Sequence, residues 1–328
     1  MAYKEVSFGQ DQFYPILQSD LIPFVEDLGW TVHTDQSFSQ RSLGFSKNMC
    51  HVQIKFWTGS TAYQEFSLSQ SLGYVRGEDA GSHPGDSGSG PDGIFLADIL
   101  AGRGVQGMAD TPGTCWFFGG DDYVHVVVER DDRYRHWGFG HLNKFGQWSG
   151  GEYCYGHRTV ESGSSPDSED HSLLLEGRPA LGNRAYGSTV LLRGGLENLP
   201  NGWAWGILGE DDEAPGTDSE GNARASLMGG TVGTLFGATH GSNRIPGTYV
   251  PGQWVPMYQN CVWYFSGSGS NTVQYLGTQP DVACLNLGPF TNHQEIVVGQ
   301  DRWKLFPATR RVADSTGNLG VAYRMVTE

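Results

Sequence analysis

Four histidines near the middle of the chain, His125, His136, His141 and His157, are the side chains best suited to bind a metal or pass a proton. Imidazole does both near neutral pH. A metal site carried by one element announces itself by short spacings such as HxH or HExxH, and neither occurs here. Glu129 is the one nearby carboxylate with an obvious placement. The spacing therefore predicts structural histidines in a polar–aromatic face, with no metal. Three runs pair carboxylates: Asp121-Asp122, Asp131-Asp132 and Glu210-Asp211-Asp212-Glu213. Glycoside hydrolysis needs two carboxyl groups facing each other across a cleft, which adjacency in a turn does not provide. The Glu210 run, extended by Asp218 and Glu220, lacks the regular DxDxDG order of a calcium loop. All three runs read as surface turns.

Two further patterns carry weaker chemistry. Gly85-Asp86-Ser87-Gly88-Ser89-Gly90 has the look of the nucleophile segment of chymotrypsin-like serine proteases. That mechanism also needs a histidine and an aspartate in ordered positions, and neither His33 nor His51 upstream sits in a matching motif. Trp57, Trp137 and Trp148 would line a sugar-binding groove if they stood on one surface, because aromatic faces stack on the apolar faces of sugars. The competing expectation is that they fill a glycine-rich β core, and that is the one preferred. No catalytic constellation emerges, so the sequence predicts neither an enzyme nor a cofactor.

The elements that must position these residues centre on residues 116–157. Tyr123-Val124-His125-Val126-Val127-Val128 is almost wholly β-branched, which suits a strand. Asp131-Asp132 supplies a turn, and Tyr134 to Gly140 returns as a second strand. Alternation puts Tyr134, His136 and Gly138 on one face, and Arg135, Trp137 and Phe139 on the other. Val124, Val126 and Val128 are expected on the buried face. Trp116-Phe117-Phe118 joins as a third strand through Gly119-Gly120-Asp121-Asp122, giving an antiparallel meander.

This stretch, HVVVE followed by a turn and then YRHWGFG, LNKFGQWSGGEY and GH, resembles a family of tailed-bacteriophage virion structural proteins. The likeness extends to an N-terminal helix ending in Gly29-Trp30, to FSLSQSLGYVRGED over residues 66–79, and to WKLFP and AYR near the end. These motifs are structural and name no chemistry. The resemblance implies a tail-associated or baseplate subunit that works with copies of itself and with other tail proteins. It also implies localisation in the virion after assembly in the host cytoplasm. A host-surface carbohydrate-binding module of the tail, or a collar or head-decoration protein, is the alternative.

Bulk composition agrees with a β-rich chain. Glycine accounts for 48 of 328 residues, with no G-X-Y period, and it punctuates short hydrophobic runs as turns do. Sixteen Phe, ten Trp and fourteen Tyr give an aromatic-weighted core. A net charge of −15 argues against a nucleic-acid surface and against an anionic membrane. The five cysteines, Cys50, Cys115, Cys154, Cys261 and Cys284, show no CxxC spacing and follow no signal-peptide pattern, so free thiols are expected.

Residues 12–28 carry an apolar stripe (Phe13, Ile16, Leu17, Phe24, Val25, Leu28) that predicts one helix, divided at Pro23 and stopped at Gly29. Strands are expected from Trp30, over residues 50–57, 66–69 and 203–208, and at 262–265, 273–276, 295–298, 302–306 and 321–326, while residues 172–175 and 189–192 are short apolar runs. Residues 299–301 form a hairpin turn between two of these. Residues 80–93, 102–113 and 241–253 are long glycine-rich loops. In the last, Ile245, Pro246, Tyr249, Val250 and Pro251 are expected as assembly contacts, the prolines restricting the arm before it docks. The expectation is an α+β, mainly β fold of antiparallel sheets with an N-terminal helix. Residues 1–160 would form an α+β region with the central meander and 161–328 a β-rich region with long loops, the two being separate or one continuous domain.

Overall fold

The structure, a computed structural model, describes residues 2–9, 16–37, 40–57, 65–71, 73–74, 76, 112–130, 132–156, 190–194, 203–206, 257–266, 272–307 and 319–325. It is mainly β, with three antiparallel sheets and a short N-terminal helical segment. The central sheet has seven strands: β1 (Ala2–Phe8), β6 (Gly113–Gly120), β7 (Tyr123–Arg130), β8 (Arg133–His141), β10 (Gly150–Gly156), β11 (Val190–Gly194) and β12 (Trp203–Gly206), in that order across the sheet. A four-stranded sheet runs β2 (Thr31–Ser37), β3 (Gln40–Lys47), β4 (Cys50–Trp57), β5 (Glu65–Ser71). The third sheet orders β13 (Tyr258–Ser266), β14 (Thr272–Asn286), β17 (Leu319–Met325), β16 (Asp301–Pro307) and β15 (Glu295–Val298), with β9 (Asn143–Lys144) pairing onto β14.

The meander lies at the heart of the central sheet. Val126 pairs with Trp137 and Val128 with Arg135, as the alternation predicts, and Val124, Val126 and Val128 are fully buried. The opposite face is buried as well: Tyr123, His125 and Val127 are inaccessible. Each face meets a different partner. Phe117, Val124, Val126, Trp137 and Phe139 pack with the helix and with Leu43, Phe45, Val52 and Ile54 of the four-stranded sheet. Trp116, Phe118, Val127 and Tyr134 pack with Val282, Cys284, Phe306, Val321 and Tyr323 of the third sheet. The described residues thus form three layers with the seven-stranded sheet in the middle. Doubly covered strands read as near-continuous apolar runs, which accounts for VHVVV.

Residues 12–15 of the expected helix lie outside the described residues, and the rest is less regular than the stripe implied. Leu17–Leu21 is wound as a π turn and Ile22–Asp27 (α1) as α-helix. The Ile22 N–H reaches back five residues to the Leu17 carbonyl, and Pro23, which has no N–H to give, sits in the first turn of α1. The division expected at Pro23 therefore takes the form of a change of winding just before it. Leu17, Leu21, Phe24 and Val25 are buried, and Phe24 lies 5.7 Å from Phe117, ring centre to ring centre. Gly29, at φ +79, turns the chain out of the helix as a left-handed residue must.

Several strands depart from expectation: β3 (Gln40–Lys47) was not among those expected, and β1 and β14 differ as well. β1 was not foreseen, because AYKEVSF mixes charge into its alternation, as edge strands do. β14 runs for 15 residues where four were expected. The strand passes through Gly277, Pro280 and Asp281 with register shifts against β13, and Asp281 holds φ 55. β10 and β11, on either side of residues 161–170, are neighbours in the central sheet. The loops at residues 80–93 and 241–253, and nearly all of 102–113, lie outside the described residues. No helix among the described residues is long and apolar enough to cross a membrane.

Candidate functional site

The chemistry-bearing side chains converge between the central and third sheets. His125 on β7, His136 on β8 and Tyr155 on β10 share one face of the central sheet, and Tyr323 on β17 meets them from the third. His125 Nε2 is 2.9 Å from the Pro280 carbonyl oxygen and His136 Nε2 is 2.9 Å from that of Pro307. A carbonyl only accepts, so each Nε2 carries the hydrogen and each Nδ1 is left as an acceptor. Tyr155 then donates to His125 Nδ1 (3.1 Å) and Tyr323 donates to His136 Nδ1 (2.9 Å). The two phenol oxygens stand 3.4 Å apart. With both hydroxyl hydrogens committed to imidazoles, none remains for that contact, in keeping with its length.

All four groups are buried and neutral. Burial pushes the His125 and His136 imidazoles down to about 3 against the opposing pull of their carbonyl partners. Burial likewise raises the Tyr155 and Tyr323 phenols. Gly138 makes the arrangement possible. A Cβ there would meet the Val124 carbonyl oxygen at 2.5 Å, the Tyr155 ring at 2.7 Å and His125 Nδ1 at 2.9 Å. Only a residue without a side chain leaves room for Tyr155 to reach His125.

Polar ties surround this chain. Tyr123 hydrogen-bonds to the Asp281 carboxylate, which pairs with Arg324 at 2.7 Å. Arg324 also reaches Asp301 at 3.2 Å. Lys304 donates to Tyr3 and Glu5, both at 2.9 Å, and so joins β16 to β1. Tyr134 is 2.8 Å from His293 Nε2, and burial lowers that imidazole. Tyr123, Lys304 and Tyr134 each link the central sheet to the third, while the Arg324 pairs brace the third sheet itself, so the arrangement fastens layers.

The sequence-predicted residues separate accordingly. His125 and His136 are brought together as structural histidines on neighbouring strands. His141 is half-buried, 3.9 Å from the buried Glu152 carboxylate. Asp121 and Asp122 are exposed in the β6–β7 turn, and Asp132 adopts φ 61 in the β7–β8 turn. Among the described residues no cluster of three or more His, Cys, Asp or Glu could hold a metal. Trp137 is fully buried against the helix-side core, which removes it from any sugar groove. Trp148 is half-buried, its Nε1 donating to the Leu276 carbonyl at 3.3 Å with the Lys144 ammonium 5.3 Å from its ring. His157, Asp131, the 85–90 glycine run, the Glu210 run and the Trp57 side chain lie outside the described residues, as do Ile245, Pro246, Tyr249, Val250 and Pro251.

Sequence reasoning missed Tyr155, Tyr323, Asp281, Arg324 and Lys304. Alternation in GGEYCYG does place Tyr153 and Tyr155 on one face, but nothing local says which sheet that face meets. Compared with known proteins, the chain matches no protein-family model and no curated protein.

Proposed function

We propose that the chain is a non-enzymatic structural subunit of a tailed-bacteriophage virion, a tail or baseplate component that assembles with copies of itself and with other tail proteins. The resemblance of the 116–157 stretch suggests the particle. The observation that carries the structural role is the fate of His125 and His136. Each spends one ring nitrogen on a backbone carbonyl and the other on a tyrosine, in a sealed contact between sheets. A stack of three sheets fastened in this way is a stiff body that can carry long loops to neighbouring subunits. The net charge of −15 supports a partner other than nucleic acid or anionic membrane. Mass spectrometry of purified particles made by the encoding genome tests the reading: the chain is expected at stoichiometric abundance, and its confinement to the soluble lysate would refute it.

A second reading, recognition of host-surface glycan, keeps one observation in its favour. Phe145 is half exposed beside Trp148 and Lys144 on a loop whose Phe145 N–H donates to the Leu276 carbonyl. Binding of host polysaccharide that is lost in Trp148→Ala, with the fold intact, would favour it.

A further inference from the structure

His293 differs from the two histidines sealed inside the joint. It lies in the connection between β14 and β15, and it is half-buried at the rim where the central and third sheets meet. Its ring centre is 4.7 Å from that of Trp116 on β6, 5.5 Å from Tyr134 on β8 and 5.7 Å from Phe306 on β16. Its backbone holds φ 62, a left-handed conformation that a residue with a side chain adopts at a cost. A small set of bonds closes the segment around it. The His293 N–H donates to the Leu305 carbonyl (2.9 Å), the Leu305 N–H to the Gln294 carbonyl (3.0 Å), and the Thr291 N–H to the Gln294 side-chain oxygen (3.0 Å).

The bond between His293 and Tyr134 requires a neutral imidazole. Tyr134 is buried, and its hydroxyl has one hydrogen to give. Among the described residues its oxygen meets two side chains. Asn292 Nδ2, at 3.4 Å, can only donate, which leaves His293 Nε2, at 2.8 Å, to accept. The imidazole hydrogen therefore sits on Nδ1. A proton added to Nε2 would set two hydrogens against each other and strand that of Tyr134 in a buried place. The charges around the ring are mixed. The Lys304 ammonium on β16 opposes a second positive charge, while the Glu5 carboxylate on β1 and the Asp132 carboxylate in the β7–β8 turn favour it. Lys304 also pairs with Glu5 at 2.9 Å and stands 3.8 Å from Glu295, which itself pairs with Arg302. Burial, the largest influence, acts with Lys304 to hold the imidazole below its ordinary value.

We propose that residues 291–294 form an acid-operated latch on the joint between the sheets, closed while His293 accepts from Tyr134 and released, uncovering the Trp116 and Phe306 rings, when His293 takes up a proton. The inference goes beyond the structural-subunit reading and does not depend on it. A released imidazole titrates near its ordinary 6.5 and the latched one lower, so the closed form is fully favoured above about pH 6.5 and loses ground as pH falls toward the latched value. Opening also relieves the left-handed backbone at His293.

Hydrogen exchange on the full chain, with labelling times corrected for the intrinsic rate, tests the latch between about pH 7.5 and 5.5. The opening constant read at the His293 and Gln294 amides should rise several-fold and by no more than about tenfold, the limit for one imidazole released in its ordinary range, while β7 stays protected. The His293 resonance of the folded protein should titrate below the ordinary value. His293→Gln supplies an acceptor that does not titrate, so its segment should open equally at both pH values. Tyr134→Phe removes the hydrogen that needs an acceptor, so its His293 should titrate closer to the ordinary value than that of the wild type. Unchanged opening in the wild type, equal loss of protection from β7, or a wild-type His293 that titrates at or above the ordinary value would each overturn the proposal. So would a folded His293→Gln chain that keeps the pH dependence, or a folded Tyr134→Phe chain whose His293 titration does not move. If a variant fails to fold, the wild-type measurements decide the matter alone.

Discussion

The phenol oxygen of Tyr155 stands 3.4 Å from that of Tyr323, and each of these hydroxyls gives its hydrogen to a different buried histidine. One tyrosine belongs to the central sheet and the other to the third, so the pair marks where the two layers are joined. The joint is neutral and short of hydrogens, and both features have measurable consequences.

Acid should undo it. The folded-state pKa values of His125 and His136 lie at about 3, below the ordinary value of 6.5. The unfolded chain therefore binds more protons than the folded one below about pH 6.5. Stability from this source is fully present above that pH and is lost as pH falls toward 3. With two such groups the loss is steep across the window. Denaturant midpoints measured from neutral pH downward should fall steeply, and the two imidazole resonances should not titrate while the protein stays folded. A folded-state titration of either histidine near its ordinary value would show that the joint is open to water.

Gly138→Ala should be costly for its size. The added methyl would overlap the Val124 carbonyl and the Tyr155 ring, and such overpacking costs about 1–3 kcal/mol. Chemical denaturation gives the number. A change of less than about 0.5 kcal/mol, the scale of an ordinary surface substitution, would mean Tyr155 does not occupy this position.

Val126→Asp probes the other face of the same strand. Val126 is fully buried and pairs with Phe117 and Trp137, so an aspartate there is an unpaired charge in the helix-side core. The loss should be several kcal/mol, enough to leave the chain largely unfolded. Circular dichroism and thermal unfolding check it, and a native melting profile would show that Val126 is not enclosed in a core.

The cysteines should behave as protected thiols. Cys50, Cys115, Cys154 and Cys284 are free and buried, and burial raises the Cys284 thiol to about 12. A thiol reagent should modify these four slowly in the native protein, and all five cysteines promptly after denaturation without reductant. Disulfide-linked peptides from protein handled anaerobically would contradict this.

How far the sequence could be read depended on whether the signal was local. β4, β7 and β8 were legible because alternation and β-branching are carried within each strand. Gly29 was legible as a helix stop for the same reason. β1 escaped because Lys4 and Glu5 interrupt its apolar pattern, and those charges make sense only beside Asp20 and Lys304. The length of β14 escaped because Pro280 and Asp281 look like a turn, whereas the fold uses the Pro280 carbonyl to accept from His125 and the Asp281 carboxylate to hold Arg324. His125 and His136 could be placed on neighbouring strands from the local pattern alone. Their tyrosine and carbonyl partners on the third sheet lie more than 150 residues away along the chain, and no local pattern encodes that distance.

Deleting residues 242–251 should leave a soluble, folded protein, because the described contacts that join the three layers are made by other residues. The same deletion removes Ile245, Pro246, Tyr249 and Val250, the expected assembly contacts, together with Pro251. Unchanged thermal unfolding with loss of incorporation is the expected pair of results; normal infectious particles would remove the arm from the assembly scheme.

The central claim is that this chain is a building block of the particle, and an asymmetric reconstruction of the intact virion tests it most directly. The account predicts density in the tail or baseplate that accepts the three-layered body, with its loops in contact with neighbouring chains. A complete reconstruction in which every density is assigned to other chains would contradict it.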